Sequence, residues 1–251
     1  MSQNRPFVIS IAGFDPTGGA GVLADVKTFE QHCAYGFAVN TGNTIQTENE
    51  FFEMHWTDLP FVLKSLNQLF TNYTIKAVKI GIVPSLDYLK EIIFTVKKLS
   101  PKTKIVWDTV LKSSTKFDFI NINNQSLLIE TLQSIDLITP NYNEILQFSS
   151  TEKNHHSIAQ ELSNYCSVLL KGGHNPEEPG VDHLFTEKSI LRLDPNQTSV
   201  FEKHGSGCVL SSAITASLAL GQDLKTACSN AKTYTENYLL TNQTKLGFHH
   251  E

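Results

Sequence analysis

Phe7-Val8-Ile9-Ser10-Ile11-Ala12 runs directly into Gly13-Phe14-Asp15-Pro16-Thr17-Gly18-Gly19-Ala20-Gly21. A short apolar run bounded by turn residues has the length of a buried strand. The glycines after it let the backbone turn tightly, approach a ligand or hinge. A helix is expected to start near Ala20. Strand, glycine loop and helix form half of a βαβ unit, and the rest of the chain repeats that rhythm.

Strands are expected at Tyr35 to Val39, Ile75 to Ile80, Lys104 to Asp108, Asp136 to Ile138 and Ser167 to Lys171. Between them, Leu59, Val62, Leu63, Leu66 and Phe70 recur at helical spacing, and helices are expected over Leu86 to Leu99, Gln125 to Leu132, Asn141 to Phe148 and Ser157 to Tyr165. His183 to Phe185 and Ser189 to Leu193 read as an antiparallel pair. Two helices follow, about Gly207 to Leu220 and Leu224 to Leu240. This order predicts an α/β fold with a mainly parallel central sheet and helices on both faces. No internal repeat or low-complexity linker interrupts it, so one domain over 1–251 is expected. Ligands in such sheets bind beyond the carboxyl ends of the strands. The loops at Gly13, Gly81, Asp108, Thr139 and Lys171 are therefore expected to share one rim.

The chain has 251 residues, 40% of them hydrophobic, and a formal net charge of -5. That length supports a sizeable core, and that composition is globular. A net acidic chain argues against nucleic acid as the main partner. Four cysteines, Cys33, Cys166, Cys208 and Cys228, form no C-x-x-C pair and fit no zinc spacing. Few thiols in a large chain point to a reducing compartment. No signal peptide or bilayer-length apolar run is seen, so a cytoplasmic location without membrane contact is expected.

Two phosphate-binding patterns are missing from the sequence: G-x-x-x-x-G-K-[ST], and a G-x-G-x-x-G after the first strand. The chemistry concentrates elsewhere. His204-Gly205-Ser206-Gly207-Cys208 leads into Val209-Leu210-Ser211-Ser212-Ala213-Ile214-Thr215-Ala216. This junction points free N–H groups and the positive end of a helix dipole at one spot, which suits an anion in transfer. The same dipole is expected to favour the Cys208 thiolate and lower its pKa. Gln46 carries a donor and an acceptor, enough to read the edge of a heteroaromatic ring. Asn141 and Glu144, three apart on a helix beginning at Pro140, can hold a hydrated Mg²⁺ or simply cap that helix. Lys171, on a glycine turn, can meet phosphate as a point charge. Asp25, one turn into the first helix, reads on its own as a solvated helix residue. His155-His156 and His249-His250 lack further ligands nearby and read as surface pairs, and His174 is given no role.

Taken in order, these segments resemble the hydroxymethylpyrimidine and hydroxymethylpyrimidine-phosphate kinases, the thiamin-pathway branch of the ribokinase-like family. The resemblance covers almost the whole chain. It runs from Ile11 to Gly21 and Ala24 to Thr28, through Tyr35-Gly36, Thr44 to Gln46, Lys79-Ile80-Gly81 and Asp108. It continues with Thr139-Pro140-Asn141, Glu144, Lys171-Gly172-Gly173-His174 and the turn at Gly205 to Cys208. It implies a three-layer αβα sandwich and ATP-dependent phosphorylation of 4-amino-5-hydroxymethyl-2-methylpyrimidine, then of its monophosphate. It further implies an anion hole at Gly205, Ser206, Gly207 and Cys208, with Cys208 accepting the hydroxyl proton or orienting the alcohol. Substrate contacts fall at Gln46, Gly13, Asp25, Gly19 and Val110. Nucleotide contacts fall at Lys171, Asp108 and Thr139, with Mg²⁺ held through water by Asn141 and Glu144. A homodimer is expected on the same ground.

The chain departs from the family's pattern in several places. Phe14 replaces a serine, Thr109 follows Asp108 where proline is usual, and Ser113-Ser114-Thr115-Lys116 lacks a glycine. Lys203 and Val209 replace threonines flanking the anion hole. Two other readings stay open at this level. One is a pyridoxal kinase, whose substrate lacks the 4-amino group that favours Gln46. The other is a pyrimidine sensor that kept the fold without catalysis.

Overall fold

The computed structural model describes residues 5–112, 119–120, 122–149, 153–197 and 199–249. The departure at Ser113 to Lys116 lies outside the described residues. Among the described residues, nine strands form one sheet: β1 (Phe7–Phe14), β2 (Tyr35–Gln46), β3 (Phe51–Trp56), β4 (Ile75–Ile80), β5 (Lys104–Trp107), β6 (Leu137–Ile138), β7 (Ser167–Leu170), β8 (Asp182–Thr186) and β9 (Ser189–Leu193). Their spatial order is β3-β2-β1-β4-β5-β6-β7-β8-β9. From β2 to β7 all neighbours are parallel, while β3, β8 and β9 run antiparallel at the two margins.

Seven α-helices among the described residues cover the sheet: α1 (Gly21–Gln31), α2 (Leu59–Asn72), α3 (Leu86–Leu99), α4 (Gln125–Leu132), α5 (His155–Leu162), α6 (Ser206–Ala219) and α7 (Leu224–Leu239). Period-two alternation along the strands sorts them into layers. Ile9 and Ile11 of β1 face a core shared with Val62, Leu66, Leu89, Ile92, Leu128 and Ile158, from α2 to α5. Val8 and Ala77 face the opposite way, against Phe29 of α1 and Ala216 of α6. Val106, Leu137, Leu169 and Leu184 meet Ala213 and Ile214 of α6 with Ala227 and Ala231 of α7. The result is the three-layer αβα sandwich of the ribokinase-like fold.

Helix α6 is buried on all sides from Val209 to Ser217, as an interior helix must be. Its serines and alanines let it lie close to the sheet. That closeness brings its first turn over the strand ends.

The rim is as expected. Backbone bonds run across it in sequence: Gly81 N to Ile11 O (2.8 Å), Asp108 N to Ile80 O (2.8 Å), Thr139 N to Trp107 O (3.1 Å) and Lys171 N to Pro140 O (2.9 Å). Three segments differ from expectation, the first being Phe51–Trp56, which forms β3 where no strand is expected. Asn40 to Gln46, a polar stretch read as loop, continues β2 and pairs with β3, with Gly42 opposite Trp56 and Gln46 opposite Phe51. Asn141 to Phe148 is not an α-helix. It is a turn followed by a short 3₁₀ segment, Ile145–Phe148.

Candidate active site

A cleft of about 820 Å³ lies along the rim, within the usual size for a ligand site. Gln46 and Val110 line it near β2 and β5, and Gly205 to Cys208 lie along its wall. Beyond β7, Lys232 and Glu236 of α7 also line it. Gln46, the first glycine loop and the Gly205–Cys208 turn therefore face one space.

The first junction, between β1 and α1, is organised by Asp15. Its carboxylate accepts from Thr17 N and Ala20 N, each at 2.9 Å, and from the Thr17 hydroxyl. His204 Nε2 donates to it across 2.8 Å. Burial opposes the charge on Asp15, but the His204 and Thr17 bonds prevail and hold its carboxyl below the ordinary range.

The second junction opens α6. Gly205 has φ +77°, and a Cβ there would stand 1.9 Å from Gly19 O. Only glycine fits that contact. The turn is thus seated on the first loop. Ser206 N bonds back to Lys203 O at 3.4 Å and Val209 N to Gly205 O at 3.0 Å, so Gly207 N and Cys208 N between them are the helix-start amides left for the cleft. Lys171 reaches the same spot: a Cβ on Gly207 would lie 3.3 Å from its Nζ.

Beneath the turn, four charges alternate in sign. Lys79 Nζ donates to both oxygens of Asp25, at 2.9 and 3.0 Å. It lies 3.8 Å from Asp108 Oδ2, and Lys171 Nζ lies 3.2 Å from Asp108 Oδ1. Hydroxyls complete the acids: Ser10 and Ser212 donate to Asp25, and Ser211 and Thr139 to Asp108. Burial alone would discharge Lys79, yet Asp25 and Asp108 hold it protonated, above the ordinary lysine range. Burial likewise opposes the charge on Lys171 and Asp108, and each is kept ionised by its neighbours in the chain.

Several expected contacts are corrected by this arrangement. Asp25 is neither a solvated helix residue nor exposed to the cleft; it is fully buried and holds Lys79. Thr139 is fully buried and spends its hydroxyl on Asp108. Asp108 reaches the cleft wall, but its oxygens are taken by Lys171, Thr139 and Ser211. Gly19 packs under Gly205 instead of facing the cleft. These groups position others. Gly13, Gln46, Val110 and Lys171 do line the space.

Cys208 also differs from expectation. Burial pushes its thiol up to about 11; Lys79 and the Gly21 N–H pull the other way, while Asp108 and Asp25 add to the rise. The expected lowering by the helix dipole is outweighed first by burial of the thiol, with Asp108 and Asp25 adding to it. The group at neutral pH is a thiol.

Asn141 and Glu144 do come together, by reciprocal capping. Asn141 Oδ1 accepts from Asn143 N and Glu144 N, both at 2.9 Å, and Glu144 Oε2 accepts from Asn141 N at 2.8 Å. Both lone pairs of the Asn141 carbonyl are thereby committed, so it is not a metal-water acceptor. Burial lifts Glu144 to about 7, against the pull of Lys171.

Sequence reasoning gave no role to Lys79, Asp15 or His204. Lys79 had a visible signal: a lysine between Val78 and Ile80 in a strand buried on both faces. The Asp15–His204 pair spans 189 residues and leaves no local trace. His155 stacks on Tyr142 at 3.6 Å and His249 meets Tyr234 OH at 2.7 Å, while His250 is outside the described residues. Among the described residues, no His/Cys/Asp/Glu group is arranged to hold a metal by itself. No helix among them is long and apolar enough to cross a membrane.

A ribokinase-like sheet whose rim gathers Gln46, Lys171 and the Gly205–Cys208 turn in one cleft has the architecture of a small-molecule kinase. Comparison with known proteins carries this further. The sequence pattern of the phosphomethylpyrimidine kinase family matches residues 15–251. A hydroxymethylpyrimidine/phosphomethylpyrimidine kinase of Aquifex aeolicus is 32% identical over 246 residues, covering 95% of this chain and 96% of its own. The crystal structure of a phosphomethylpyrimidine kinase from Clostridium difficile 630 superposes with a TM-score of 0.77 at 30% identity, covering 93% of this chain and 99% of that one. The pyridoxal kinase of Staphylococcus aureus shares the fold, with a TM-score of 0.83 at 23% identity over 98% of this chain and 90% of that one. The chain belongs to the phosphomethylpyrimidine kinase family.

Proposed function

We propose that the protein transfers the γ-phosphoryl group of ATP to the hydroxymethyl oxygen of 4-amino-5-hydroxymethyl-2-methylpyrimidine, and a second to the resulting monophosphate. The observation that carries this reading is the seating of the anion turn on the first glycine loop, in one cleft with Gln46.

The alcohol oxygen attacks γ-phosphorus as the bond to the β-phosphate oxygen breaks, and ADP leaves. The hydroxyl proton departs late, to solvent or a phosphoryl oxygen, because such transfers are loose and need little base. Cys208, a neutral thiol, orients the alcohol. Amides at the start of α6 and the Lys171 ammonium meet the transferring oxygens. Lys171 is held for this by Asp108, itself fixed by Lys79, Ser211 and Thr139. Gln46 selects the ring by its edge.

Mg²⁺ in such a site neutralises charge on the nucleotide phosphates. Glu144, which lines the cleft with Oε2 bonded to Asn141 N, would fit that group through water. The capping turn keeps Glu144 aimed while Asn141 stays out of the coordination. A cytoplasmic, homodimeric enzyme formed from a single domain is the setting we infer from the family likeness.

Incubation with ATP, Mg²⁺ and the pyrimidine should yield mono- and diphosphate by mass spectrometry. Faster turnover of pyridoxal in parallel would replace the substrate. Binding of the pyrimidine without transfer would replace catalysis with sensing.

A further inference from the structure

The lysines lining this cleft include three held by aspartates and one, largely covered, that is not. Lys79, Lys171 and Lys232 each have an aspartate oxygen within 2.9 to 3.2 Å. Lys203 has none among the described residues. It is 4% exposed and lines the cleft. Its Nζ donates to the Asn242 carbonyl at 2.6 Å and lies 5.4 Å from the Phe201 ring centroid. Neither neighbour carries a negative charge. An ammonium has three donors, and one backbone carbonyl uses one of them. Glu202 and Lys245 line the cleft nearby, but no ion pair joins either to Lys203 among the described residues.

Covering a charge without a counter-ion is costly, and an incoming anion recovers that cost. Lys203 is also part of the anion turn's frame: its carbonyl receives Ser206 N at 3.4 Å. We propose that Lys203 is a second phosphate-binding cation of this site, engaging a phosphate group of a bound substrate. The inference rests on the kinase reading above. Two substrates bring such a group: the nucleotide, and the phosphorylated pyrimidine of the second transfer.

The test is equilibrium binding, which does not depend on transfer. ADP, the pyrimidine monophosphate and the unphosphorylated pyrimidine are titrated into the wild-type protein, Lys203→Met and Lys203→Arg. Lys203→Met should weaken one phosphate-bearing ligand about ten-fold, one charge-assisted hydrogen bond, and flatten its salt dependence. Lys203→Arg should keep most of the affinity, and the unphosphorylated pyrimidine should bind all three alike. A loss confined to ADP assigns the nucleotide phosphates; a loss confined to the monophosphate assigns the acceptor phosphate. The proposal is overturned if no phosphate-bearing ligand shifts beyond about two-fold, with or without a lower Tm, since Lys203 then only ties down Asn242. If Lys203→Met does not fold, Lys203→Gln takes its place with the same criteria. Wild-type protein that binds ADP but never phosphorylates the pyrimidine would defeat the kinase reading while the ADP arm still decides Lys203.

Discussion

The two glycine junctions, before α1 and before α6, use similar backbone devices to opposite electrostatic ends. Each opens a helix with no side-chain cap on its N-cap residue, and each contains a glycine in the left-handed region. The first is closed by its own acid: Asp15 takes the loop amides and His204. The second has cations around it, Lys171 beside and Lys79 below, and no acid of its own. An anion already built into the first junction makes it a scaffold, and its absence from the second leaves room for a substrate's phosphate. Backbone shape alone therefore does not identify an anion site; the charges that surround it do.

The largest effect that tests this contrast is expected at Gly205. Gly205→Ala drives a methyl into Gly19 O and should lower kcat by about 10³-fold, the scale of a lost anion-hole donor, with a reduced Tm in a thermal melt. Turnover close to wild type would show that the second junction is not where phosphate moves. Cys208→Ala should cost about 10²-fold in kcat through misplacement of the alcohol. Because the thiol sits near 11, the wild-type pH–kcat curve should show no inflection that this variant loses. An inflection below about pH 9 that vanishes with the sulfur would reinstate a thiolate base.

Asp15→Asn addresses the first junction. It should destabilise the protein by about 1–3 kcal/mol at neutral pH, read by urea unfolding, while ADP affinity is unchanged. The sign of the pH effect follows from the lowered carboxyl. Its stabilisation is complete above the unfolded value near 3.8 and fades as pH falls through the lower folded value. The wild-type advantage over Asp15→Asn should accordingly disappear in acid, and an advantage that grows there would contradict the assigned charge. Gln46→Ala, outside both junctions, should raise KM for the pyrimidine about ten-fold, one neutral hydrogen bond, with kcat little altered. An unchanged KM would remove Gln46 from ring recognition.

The alternation of apolar runs and amphipathic segments was enough to reveal the layers, the rim and the antiparallel margin at β8 and β9, but not the one at β3. The second half of β2 was hidden because Asn40-Thr41-Gly42-Asn43-Thr44 has no apolar face; its partner β3 supplies the pairing that sequence polarity obscures. Site groups facing the cleft, such as Gln46 and Lys171, were legible from their side chains and the polar or glycine-rich sequence around them. The support beneath them was not. Asp25 sits in an ordinary helical stripe, and only the distant Lys79, Ser10 and Ser212 make it a buried anchor. Cys208 teaches the same lesson with a sign change: its helix is local, while the burial that lifts the thiol comes from elements packed over it from across the chain, with Asp108 and Asp25 adding to the rise.

The four thiols also differ in what a chemist can do with them. Cys166 and Cys228 are sealed in the interior, Cys208 is held protonated, and Cys33 stands exposed just past the end of α1. An alkylating dye, which needs a reachable thiolate, should mark Cys33 first. A fluorophore attached there would report on α1, and through it on the loop beneath Gly205, while leaving the catalytic chamber unlabelled.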